Sequence, residues 1–194
     1  MADTQSKAAS LVTMLSRIVA IPTTALAVVG SLWIFGIMIL VNLDVFGRTL
    51  FSRPVDGVPE IVSLSIVGIV FLQIANTLRR GRFINSDMFI GRLQQRRPRL
   101  GYALEGTYHL LGAITFVVIC WYVLPKYADA KEFGTYVGNL GRFTMVIWPI
   151  LLILLIGSIL TFTQYLLISA QYFLAAFKLA PPPLSGHGSE PDFE

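Results

Sequence analysis

Charge is scarce in this sequence. Only 13% of its 194 residues are Asp, Glu, Lys or Arg, whereas soluble domains carry about 25%, and the mean hydropathy is +0.69. Cysteine occurs once, as Cys120, which excludes an intrachain disulfide and a cysteine-based zinc cluster. Histidine occurs twice, as His109 and His187. A bilayer haem held by two axial histidines therefore lacks a ligand, because His187 falls in the tail "APPPLSGHGSEPDFE". GxGxxG, P-loop, HExxH, CxxC and GxSxG patterns do not occur, so nothing points to an enzyme, a metal or a cofactor.

Long uncharged runs are what the sequence has instead. They cover Ile18–Leu43, Ile61–Leu78, Gly106–Pro125 and Phe143–Phe177. A helix needs roughly 20 apolar residues to cross a hydrocarbon core about 30 Å thick. These runs are apolar all round, unlike the striped helices of a soluble bundle. Barrel strands alternate in polarity, and "ILLILLIGSIL" does not; helices are then the way to satisfy the backbone in lipid.

The expected fold is an all-α integral membrane protein with four transmembrane helices, near 22–43, 60–78, 104–124 and 145–168, in a domain covering 18–178. An N-terminal arm (1–17) precedes it and a disordered tail (179–194) follows. Pro22 is placed in the first turn of the first span, and Pro149 in the early turns of the fourth. The last run would make about 52 Å of helix, so "SAQYFLAAF" is expected to emerge along the surface. The first apolar run is too long for a signal peptide and has no A-x-A-like site after it, so the span is expected to persist in the mature protein.

Basic residues set the orientation. Lys7, Arg17, Arg79, Arg80, Arg82, Arg92, Arg96, Arg97, Arg99 and Lys178 fall on one side, and Arg48, Arg53, Lys126, Lys131 and Arg142 on the other. The termini and the arginine-rich second loop are accordingly expected to be cytoplasmic. Because the positive charges gather at span edges, the net charge of +4 does not indicate nucleic acid.

The second loop, "NTLRRGRFINSDMFIGRLQQRRPRL", holds seven arginines against one acid, Asp87. Each is attracted to anionic lipid by about 1 kcal/mol. A short amphipathic helix near 86–97, lying in the cytoplasmic interface, is expected here, with a merely solvated loop as the alternative. Asn85 or Ser86 caps it, Asp87 suits its first turn and Pro98 interrupts the pattern near its end. Phe89, Ile90 and Leu93 share one face, flanked by Arg96 and Arg97.

Within the spans, Gln73, Asn76 and Gln164 are expected to make interhelical hydrogen bonds, and His109 and Trp33 to serve packing. Trp121, Tyr122, Trp148 and Tyr165 fall toward span ends, as an aromatic belt does. The absence of mid-span charge leaves the chain poorly equipped for ion-coupled transport alone. In the first hairpin, "NLDVFGRTLFSRPVDGVPE", Asp44 and Arg48 have helical i,i+4 spacing, and Glu60 opens the next span. Arg48 can reach either acid; an interfacial ion pair and a contact to another subunit both remain open.

The hairpin and arginine loop together resemble the DctQ-type small membrane subunit of TRAP transporters, over about residues 42 to 90. The pattern is carried by Arg48 in "VFGRTLF", Pro54 in "SRPVDG", Glu60 in "VPEIVSL", Arg80 and Gly81 in "LRRGRFI", and Asp87 in "NSDMF". Phe83 departs from it, since a His is frequent there. The resemblance implies a bacterial inner-membrane scaffold without a cofactor. Its partners would be a large multi-span subunit, which carries the sodium and substrate sites, and a periplasmic binding protein that delivers an organic acid. A membrane anchor of a redox enzyme and a self-sufficient small transporter are the rival readings.

Overall fold

The computed structural model describes residues 2–80, 97–139 and 143–177. Four helices, α1 (Ala2–Phe51), α2 (Val58–Arg79), α3 (Pro98–Glu132) and α4 (Trp148–Ala176), form an up-and-down bundle. Two short strands, β1 (Tyr136–Asn139) and β2 (Phe143–Val146), join α3 to α4. All four helices are long and apolar enough to cross a membrane. The fold is that of an all-α integral membrane protein, with one small hairpin added.

The helices run beyond the uncharged stretches that mark them in the sequence. At 1.5 Å per residue, the 50 residues of α1 make about 75 Å of helix and the 35 of α3 about 52 Å. Pro22 does not sit in a first turn: it lies inside a continuous α1. Hydroxyls stitch the backbone around it, as Thr and Ser do beside prolines in lipid. Thr23 Oγ1 donates to the Val19 and Ala20 carbonyls, both at 3.0 Å, and Thr24 Oγ1 to Ala20 at 2.8 Å. Pro98 opens α3, and at that position its missing N–H forfeits no helical bond. Of the helix expected near 86–97, only Arg97 is described, as the N-cap of α3; the rest, and the tail from 178 on, lie outside the described residues.

Helix α4 is the hub. It packs most extensively on α3 and also against α2 and α1, while α1 packs chiefly on α2. The parallel pair α2 and α4 touches at two glycines. Gly68 faces Ile150 and Ile153 of α4 and Trp33 of α1, and Gly157 lies against the backbone of Phe71. The α3–α4 contact is aromatic on glycine, with Tyr165 over Gly112 and Phe173 over Gly106. Small residues allow such approach, and in lipid, packing must supply what the hydrophobic effect does not. The outward faces of α1 and α3 stay apolar and exposed, from Val28 to Phe51 and from Leu104 to Leu124.

The hairpin is a finding: its second strand lies in the last uncharged run, and the span expected near 145–168 had taken in Met145 and Val146. Tyr136 pairs with Val146 and Gly138 with Thr144 in an antiparallel ladder, closed at its base by Ile147 N–H donating to the Thr135 carbonyl at 3.2 Å. Phe143 packs on Gly57, the N-cap of α2. Both connections at this end of the bundle thus touch one another.

Candidate functional site

Polar groups gather at the two ends of the α1–α2 pair and along the inner face of α4. At the loop end, Ser52 terminates α1 with a left-handed φ of 51°, as helix ends commonly do. The chain then folds back on the last turns of α1. Arg53 N–H donates to the Gly47 carbonyl at 3.1 Å, and Val55 N–H to Asp44 Oδ1 at 2.8 Å. A side chain on Gly47 would press on the Arg53 carbonyl.

Arg48 settles on Asp44, not Glu60: Nη2 donates to Asp44 Oδ2 at 2.9 Å. The pair is lopsided, with the Asp44 side chain 11% exposed and that of Arg48 63%. An exposed ion pair of this kind contributes little stability by itself. The structural work belongs to the Val55 bond. Asp44 directly follows the uncharged run and lies beyond the span expected near 22–43. The bond from Val55 holds its carboxyl below the usual carboxylate range; desolvation opposes this, and Arg48 assists. Glu60 lies in the first turn of α2, where a carboxylate suits the helix dipole. Among the described residues no hydrogen bond or ion pair engages its side chain.

At the opposite end, Arg79 closes α2. Its Nη2 donates to Thr24 Oγ1 of α1 at 2.9 Å and to Asn76 Oδ1 at 3.2 Å. Its Nε is buried with no partner among the described residues. Arg80, Arg97 and Arg99 are exposed. Asp87, Arg92 and Arg96 lie outside the described residues.

Several expectations for the interior are corrected. Among the described residues the amide nitrogens of Gln73 and Gln164 are buried without partners, and Asn76 bonds within α2. The interhelical bonds come from elsewhere: Trp33 Nε1 donates to Ser65 Oγ at 3.2 Å, and Ser169 Oγ to the Gly106 carbonyl at 2.9 Å. Tyr165 is no belt residue. It stacks on Phe116, with ring centroids 5.8 Å apart, and meets His109 at 5.9 Å. His109 Nδ1 lies 2.9 Å from the Glu105 carbonyl; a carbonyl only accepts, so Nδ1 carries the proton. Glu105 itself, 6% exposed, is a buried acid that sequence reasoning passed over, because it borders an uncharged run. Among the described residues, no group of three or more His, Cys, Asp and Glu is placed to hold a metal.

Among the described residues this arrangement offers packing surfaces and fixed charges. Residues 37–174, most of the chain and all of both hairpins, match the family model described as tripartite ATP-independent periplasmic transporters, DctQ component. The chain belongs to the DctQ family. Its members are small components of TRAP transporters, not enzymes, and work with a large membrane component and a periplasmic binding protein. This DctQ chain is accordingly a multi-pass membrane protein. No curated protein and no solved structure matches it.

Proposed function

We propose that this DctQ chain is the scaffold on which a large TRAP subunit carries out sodium-driven uptake of an organic acid. Its charges are arranged for holding a partner. At the loop end the Arg48 guanidinium is anchored by Asp44 yet largely exposed, and the Glu60 carboxylate is engaged by nothing among the described residues. A cation and an anion fixed on a rigid hairpin can recognise complementary charges on another subunit, where the low dielectric strengthens them. That observation carries the assignment. The lack of charge in the middle of the spans supports it, because coupling an ion gradient ordinarily uses ionised groups there.

In this reading the chain sits in a bacterial inner membrane with both termini and the arginine loop cytoplasmic, following the bias of its basic residues. The arginines of that loop lie against anionic lipid.

The test is charge reversal. Arg48→Glu and Glu60→Lys are expected to weaken co-purification with the large subunit by more than they reduce membrane insertion. Unchanged co-purification with unchanged uptake would overturn the assignment. Solute flux in vesicles containing this chain alone would overturn the scaffold role itself.

A further inference from the structure

An arginine at the end of a span ordinarily extends past the helix to reach headgroups and water. Arg79 does the reverse. Its guanidinium turns back one helical turn to Asn76 and across the seam to Thr24. Thr24 lies seven residues beyond Arg17, the nearest charge of α1, or about 10 Å along the helix. Helix α4 gives a similar depth. Gly157 is level with Phe71 of the parallel α2, so Arg79 is roughly level with Tyr165, about 18 Å before α4's uncharged run ends at Phe177. The guanidinium therefore sits inside the boundary that the neighbouring helices mark.

Its two acceptors are neutral. The Thr24 hydroxyl gives its own proton to the Ala20 carbonyl, so toward Arg79 it only accepts. Among the described residues Nε is buried without a partner, and no carboxylate forms an ion pair with Arg79. A desolvated cation without a counter-charge is costly. The planar donor fork of a guanidinium suits a phosphate. The flank of the seam indicates where that phosphate comes from. Ile21 and Val28, one turn either side of Thr24, are 75% and 54% exposed. A ligand with an anionic head and an apolar tail matches a cation and an apolar flank together; free phosphate or a lone carboxylate matches only the first.

We propose that Arg79, oriented by Thr24 and Asn76, holds the phosphate of one anionic phospholipid, whose acyl chains cover Ile21 and Val28. The lipid belongs to the leaflet on the side of the chain termini. This is a stoichiometric site, distinct from the diffuse attraction of the arginine loop, and it does not depend on the scaffold reading.

The experiment uses the full chain purified in a mild non-ionic detergent, loaded with phosphatidylglycerol, washed with salt, and assayed for retained phospholipid by mass spectrometry. Wild type and Arg99→Gln are expected to keep one phosphatidylglycerol per chain. Arg79→Gln, which loses the charge-assisted bonds, is expected to retain at least about tenfold less. Thr24→Val keeps the charge but removes the orienting acceptor, and an intermediate loss is expected; it serves as the test if Arg79→Gln does not fold. Equal retention by Arg79→Gln or, if that variant does not fold, by Thr24→Val overturns the proposal. So does equal retention of phosphatidylcholine, or displacement by inorganic phosphate. Arg79→Gln that keeps its lipid but loses the large subunit would also overturn it, in favour of a carboxylate on that partner.

Discussion

Gly157 of α4 and Phe71 of α2 meet backbone to backbone: the Phe71 carbonyl oxygen occupies the space that a Cβ on Gly157 would need. Gly157→Val must separate the two helices at the hub of the bundle. A loss of about 1–3 kcal/mol, the usual cost of overpacking, is expected. Gly36→Ala is the control, since a Cβ there meets nothing within 4 Å and alanine favours helix by about 1 kcal/mol. Thermal unfolding in detergent should show the first variant destabilised and the second not. A Gly157→Val protein as stable as wild type would contradict the close approach.

Trp33 and Ser65 give a second test of helix pairing. Trp33→Phe removes the indole donor and Ser65→Ala removes its acceptor. Each is expected to cost about 0.5–1.5 kcal/mol. In a double-mutant cycle the two losses should not add, because each destroys the same bond. Additive losses would show that the two residues act independently.

The Asp44 tether makes the first loop sensitive to acid. The Asp44 carboxyl is held below the usual carboxylate range mainly by the Val55 N–H, so its contribution is complete above that range and is lost as the pH falls through the lowered value. Hydrogen exchange at the Val55 amide, corrected for its intrinsic rate, should lose protection over that interval. Asp44→Ala should lack the protection at every pH. A Val55 amide equally protected in both proteins would rule the tether out.

Gln164, 2% exposed, carries an amide nitrogen without a partner. Replacing it with a leucine of similar size removes a buried unsatisfied donor, and a gain of about 1–3 kcal/mol is expected. A lower melting temperature for Gln164→Leu would show that the amide finds a partner in the membrane.

Replacing Arg96, Arg97 and Arg99 together with Glu inverts the charge bias that orients the chain. The expected result is altered accessibility of labels on both termini, or a second loop that no longer binds anionic vesicles. Unaltered labelling with unchanged uptake would mean that these arginines do not set the topology.

Much of this was legible in the sequence because the bilayer imposes a simple rule: a run without charge, long enough, is a span. The four helices follow from that rule. The Asp44–Arg48 pair follows from i,i+4 spacing, and the family from residues in the first hairpin and arginine loop. What escaped depends on contacts between distant segments. Nothing local distinguishes Arg79 as turning back, since Thr24 lies 55 residues away. Phe143–Val146 merges with the apolar run that follows, so the second half of β2, Met145 and Val146, was read as the start of a span. Tyr165 occupies a helical position that faces Gly112, and only the α3–α4 packing makes it interior. Gln73 and Gln164 were recognised as unusual, but among the described residues no acceptor meets their amide nitrogens.

The position of α4 after the other three helices has a bearing on biogenesis. The element that touches all three others is also the last of the four to be made. Until it enters, α3 stands without its main neighbour and the glycine faces of α2 and α3 are covered only by lipid. A polypeptide cut short before Trp148 would therefore lack the neighbour that Gly68, Gly106 and Gly112 are shaped to receive.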